Sequence, residues 1–165
     1  MATATPLFGS VQTMTITLAS LASDTNLLIG RQSTVIDQKD VDDAIDVLVG
    51  GKVTTGTSPT ASRQIEIWSF ASFDDATYNA NAGSSDAGMT VTAESKTLLR
   101  LLTIIPTHST SDTAYNWGPF SIAQAYGGFV PVQWGIWMVH NTGVALNSTG
   151  GNHFVKYFAL KVESA

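Results

Sequence analysis

Five aspartates between positions 37 and 46, three histidines, four tryptophans and one Gly-Lys step are the residues of this chain whose types and spacing could do chemistry. Carboxylates as dense as Asp37, Asp40, Asp42, Asp43 and Asp46 attract hard cations such as Ca²⁺. Counted from Asp40, however, the sixth position of a calcium loop is Ile45 where Gly makes the sharp turn, and the twelfth is Gly51 where a bidentate Glu is needed. The cluster reads as a solvated acidic turn, with a bound cation as the other reading, and Asp74 with Asp75 poses the same pair. His108, His140 and His153 lack the close pairing of zinc motifs. If the segments around His140 and His153 are joined strands, the two rings become neighbours that fix the intervening loop by hydrogen bonding.

Nucleophile signatures are missing. There is no G-x-S-x-G and no cysteine, which removes the serine-elbow and thiol classes. Glu66, Glu94 and Glu163 are the only glutamates, so the facing carboxylate pair of a glycosidase would have to recruit Asp, and no spacing points to one. Gly51-Lys52 is followed by Val53 and lacks an upstream glycine at phosphate-loop distance. The chain therefore reads as non-enzymatic, with no cofactor and no metal. Trp68, Trp134 and Trp137 sit in apolar alternating runs and read as core, whereas Trp117, in Tyr115-Asn116-Trp117-Gly118-Pro119, has a loop-like setting and is the best exposed candidate for partner or sugar contact.

The elements that would position these residues are strands. With 13% charged residues against about 25% in ordinary domains, the exterior must be finished with Ser, Thr, Asn, Gly and apolar groups, a surface suited to packing against protein. Net charge −5 argues against nucleic acid, which needs clustered Lys and Arg. No apolar run approaches the roughly 20 residues of a membrane span, and the first basic residue is Arg31, unlike a signal peptide. Synthesis in a cytoplasm, with neither membrane nor nucleic acid as partner, is the expectation.

Residues 1–10 read as an N-terminal arm, ordered only if it docks on something, and residues 11–165 as one domain. Val11 to Ala19 sets Thr13, Thr15 and Thr17 against Met14, Ile16 and Leu18, the two-residue period of a half-buried strand. Ser33 to Asp37 and Val41 to Val49 follow, the latter running on through Val53 and Thr55. Gln64 to Phe73 carries bulk on both faces, which places it inside a sheet. Leu98 to Ile105 stops at Pro106, Phe120 to Ala123 is short, and Val132 to Asn141 and His153 to Val162 alternate most clearly. The long joint Asp74 to Gly88 suits strands that cross between sheets. These runs predict an all-β fold, a jelly-roll-like antiparallel β-sandwich of about eight strands.

Several stretches resemble a family of small proteins encoded among the structural genes of tailed bacteriophages: LASLAS at 18–23, LIGRQST at 28–34, GKVTTGTSPT at 51–60, QIEIW at 64–68, WGI at 134–136 and HNTGVALN at 140–147. The resemblance spans most of the chain. It implies a capsid decoration, or cement, protein on the outer surface of a phage head, binding the major capsid protein and stabilising the shell. Such a protein lies across subunit boundaries, where a homotrimer lets one patch repeat around a three-fold axis. The arm, through Leu7 and Phe8, would lie on a neighbouring subunit. The alternative is a tail-associated or receptor- or carbohydrate-binding sandwich, with Trp117 as its contact.

Overall fold

Two antiparallel sheets face each other in the computed structural model, which describes residues 4–41 and 44–164. Among the described residues there are eleven strand segments: β1 (Ala4–Phe8), β2 (Gln12–Met14), β3 (Ile29–Gln32), β4 (Ile36–Asp37), β5 (Ala44–Thr54), β6 (Arg63–Ser72), β7 (Ala87–Thr90), β8 (Arg100–Thr107), β9 (Ala114–Ser121), β10 (Gln133–His140) and β11 (Phe154–Ser164). The first sheet runs β1-β11-β5-β9, with β2 on the same edge of β11 as β1. The second runs β7-β3-β10-β6-β8, with β4 continuing the β3 edge of β10. Merging these two interrupted strands leaves eight positions plus β7. Successive positions change sheets at every step except β6 to β8, the double Greek-key path of a jelly roll.

The residues expected as an arm thus enter the fold. Leu7 pairs with Lys161 and Phe8 with Leu160, so residues 4–8 dock on their own sheet. Residues 1–3 of that segment lie outside the described ones.

Alternation decides which side chains meet. Val47, Val49 and Val53 of β5 and Val155 of β11 face Ile65 and Ile67 of β6 and Trp134, Ile136 and Met138 of β10, all buried in one core between the sheets. The opposite faces of β6 and β10 are also covered. Phe70, Trp137 and Val139 pack under Ala80, Met89, Val91 and Leu99 from the long β6–β8 connection, a second core outside the sandwich. The two-sided bulk of residues 64–73 has this cause: a strand apolar on both faces must be buried on both.

Several expectations need correction. The long joint Asp74 to Gly88 does not cross between sheets, because β6, β7 and β8 all belong to the second sheet. Pro106 does not stop its strand, because β8 is the outer strand of its sheet and an edge position tolerates a residue without N–H. The strand at Val11 to Ala19 keeps its burial alternation, with Met14 and Leu18 buried and Thr13, Thr15 and Thr17 exposed, but its ladder ends at Met14. Finally, the segment read as a loop around Trp117 is β9, and Phe120 to Ala123 is the end of β9 followed by a short helix, α2 (Ile122–Ala125).

Trp117 is accordingly 7% exposed and part of the inter-sheet core. It lies opposite Gly51. A β-carbon at Gly51 would fall on the Phe154 carbonyl oxygen and 3.0 Å from the Trp117 ring. Gly51→Ala is therefore expected to lose about 1–3 kcal/mol, the range for overpacking, read as a lowered midpoint in thermal unfolding. An unchanged midpoint would mean that β11 yields freely at this point.

Candidate functional site

The residues singled out for chemistry turn out to hold loops. His140 is fully buried; its Nε2–H donates to the Leu21 carbonyl (3.1 Å) and its Nδ1 lies 3.0 Å from the Thr142 hydroxyl, which also meets the Val144 carbonyl (2.9 Å). Burial pushes its pKa down to about 4. His153 donates from Nε2 to the Asn147 carbonyl (2.8 Å) and accepts at Nδ1 from the Thr54 N–H (3.3 Å), and burial lowers its pKa as well. Both rings are neutral pins between the 142–152 loop and its surroundings, the structural role expected for them. Asp46 accepts from the Ala123 N–H (2.9 Å) at the start of α2. Asp37 and Asp75, from separate acidic stretches, meet at one end of the sandwich, where Lys39 lies 3.5 Å from the first and 3.2 Å from the second. Asp42, Asp43 and the side chain of Asp40 lie outside the described residues. Among the described residues no group of three or more His, Asp or Glu side chains is placed to hold a metal ion, and no helix is long and apolar enough to cross a membrane.

One ionic cluster was not foreseen. After β7, Thr92 caps a four-residue helix, α1 (Ala93–Lys96), by accepting from the Ser95 N–H while Ser95 Oγ accepts from the Thr92 N–H. That turn delivers Lys96 Nζ to within 2.6 Å of Glu66 Oε2 on the outer face of β6. The ammonium also donates to the Leu27 carbonyl (2.8 Å) and stands 5.1 and 5.7 Å from the Trp68 and Trp137 ring centroids. Glu66 in turn accepts from Gln64 Nε2 and Trp68 Nε1. Lys96 is thus caged between two indoles and a carboxylate, clamping the β6–β8 connection over the second core. In the sequence only Glu66 and Trp68, two apart on one strand face, hinted at half of it.

The surface that stands out is the outer face of the first sheet. The strand period that buries Val155, Tyr157 and Ala159 turns Phe154, Lys156, Phe158 and Leu160 outward. Phe8, 64% exposed, packs edge-on to Phe158 with centroids 6.0 Å apart, and Val11 beside them is 61% exposed. Gly50 and Gly51 of β5 lie low between β11 and β9. This leaves a trough of about 330 Å³, walled by Phe154, Lys156 and Phe158 on one side and by residues 116–119 on the other. Lys52 and Lys156 stand 5.4 and 5.1 Å from the Phe154 ring centroid. Among the described residues neither has a carboxylate within ion-pair distance.

Of the three residues expected to meet a partner, Phe8 therefore borders this face. Leu7, 43% exposed, points to the opposite side of the edge strand. Trp117 contributes to the trough only from its buried position beneath Gly51. Exposed apolar side chains gathered on one face in this way suit contact with another macromolecule. No family model, no curated protein and no solved structure matches the chain.

Proposed function

We propose that this chain is a virion structural protein, a decoration or cement protein that binds the major capsid protein on the outside of a phage head and stabilises the shell, assembled as a homotrimer. The observation that carries the reading is the exposed apolar face formed by Phe8, Val11 and Phe158 on a jelly roll. Exposed apolar patches on soluble proteins mark contact with other macromolecules. The stretches that resemble phage structural proteins support the choice of a head as that partner, as does the low charge of the exterior, which leaves few ions to be desolvated in protein contacts. The tail-associated or carbohydrate-binding reading loses its main support with the burial of Trp117, since a sugar-stacking ring must be open to solvent.

Binding to purified, undecorated heads tests the proposal. The full chain is expected to co-sediment with heads, and a chain lacking residues 1–10, which loses Phe8 and bares the edge of β11, is expected to bind less. Unchanged occupancy by the shortened chain would remove the arm from the contact, and absence of binding by the full chain would overturn the reading.

A further inference from the structure

The end of the sandwich that carries the acidic loops also carries an apolar projection. Phe73, directly after β6, is 65% exposed, and Phe129, in the loop between α2 and β10, is 51% exposed. Their ring centroids are 6.0 Å apart. The two phenyl groups thus form a knob in water, with Asp74 and Asp75 next in the chain. Asp74 accepts from the Ser72 hydroxyl (2.9 Å) and the Ala76 and Thr77 N–H groups (3.1 and 2.6 Å), contacts that hold it ionised. Asp75 and Asp37 share the single ammonium of Lys39, so the knob end carries net negative charge.

The trough on the first sheet is apolar like the knob and opposite to it in sign: it has walls from Phe154 and Phe158, a floor of two glycines, and beside it the Lys52 and Lys156 ammonium groups, which among the described residues have no carboxylate within ion-pair distance. Knob and trough share no residue. We propose that the Phe73/Phe129 knob of one copy seats in the Gly50–Gly51 trough of a second copy, with Asp74 and Asp75 facing Lys52 and Lys156. Because two different patches meet, the contact is heterologous and either closes into a ring or grows as a filament. The inference rests on the reading of this chain as an assembly protein and names the contact that would close its three-fold ring.

Light scattering coupled to size exclusion, on the full chain, tests it with two variants. Phe73→Ser with Phe129→Ser removes the knob; Lys52→Glu with Lys156→Glu reverses the charge of the trough. Unfolding midpoints equal to the parent's verify that each variant is folded. The parent is expected to show a multiple of its 17.5 kDa, three for the closed ring, falling as salt is raised. Each variant is expected to show the single mass. An equimolar mixture of the two retains one good knob and one good trough, and is expected to give a one-to-one complex and nothing larger. A parent of single mass at every concentration, variants that keep the parent's mass, or a mixture that stays monomeric would each overturn the pairing. A monomer that still binds heads would remove this contact and leave the decoration reading standing. A knob-in-trough oligomer that ignores heads would do the reverse.

Discussion

Glu66→Ala is expected to destabilise the chain by about 3–5 kcal/mol, the cost of stranding one partner of a buried ion pair. The substitution leaves the largely covered Lys96 ammonium between Trp68 and Trp137 with the Leu27 carbonyl as its one remaining hydrogen-bond acceptor among the described residues. It also takes the acceptor from the Gln64 amide and the Trp68 indole. A marginally stable domain has roughly 5–15 kcal/mol in hand, so this one change uses a large part of it. The damage should begin locally. With the clamp gone, residues 73–99 lose their hold on the outer face of β6 and β10, and limited proteolysis should cut there before the rest of the chain. Glu66→Gln combined with Lys96→Met keeps the volume and removes both charges, and most of the lost stability should return, as happens when buried pairs give way to uncharged groups of similar size. Urea unfolding of the three proteins decides the matter. A loss under 1 kcal/mol for Glu66→Ala would show that water reaches the pair and that the cage is not a clamp.

Acid should weaken the fold before its carboxylates are protonated. An unfolded histidine titrates near 6.5, while burial holds His140 at about 4 in the native chain. Between these values the unfolded chain binds a proton that the native chain refuses, so stability rises with pH across the window and is lost as pH falls from 6.5 towards 4. At about 1.4 kcal/mol per pH unit, His140 alone accounts for a loss of about 3 kcal/mol, and His153, lowered for the same reason, adds in the same direction. The depressed aspartates, Asp24 and Asp37 among them, act below this range: their contribution is complete above the unfolded carboxylate value near 3.9 and is lost only as pH falls further. Unfolding free energies measured from pH 7 to pH 4 should therefore slope downward in the parent. His140→Asn should be less stable at pH 7 and slope less steeply across the same range, the remaining slope coming from His153. A parent profile already flat between 6.5 and 4 would contradict the neutral, buried assignment of His140.

How far the fold can be read from residues alone depends on where local chemistry and tertiary position agree. In β10 the alternation of Trp134, Ile136 and Met138 against Trp137 and Val139 states two buried faces outright, and the second core under the β6–β8 connection is the physical reason. Around Trp117 local chemistry and position disagree. Gly118-Pro119 favours a turn, yet β9 is an edge strand, and its register shifts opposite Gly50 so that both residues fit beside the ladder. Pro106 misleads for the same reason at the other open edge.

The candidate face was partly legible: Phe8 in a short polar–apolar arm is odd enough to notice. Its contact with Phe158 joins positions 150 residues apart in the chain, and no local pattern encodes that. The trough has Gly50 and Gly51 as its floor and becomes visible only once β9 and β11 flank β5. Lys96 in its cage is equally non-local, since a four-residue helix gives no periodicity from which to infer what its last residue touches.

Imaging of the parent particle by electron microscopy tests the central claim most directly. Density that accepts this jelly roll on the outside of the head, with the Phe8 and Phe158 side of the first sheet or the Phe73 end of the sandwich turned into protein contacts, is the predicted result. Heads bare of such density, with the chain found instead on the tail or free of the particle, would contradict it.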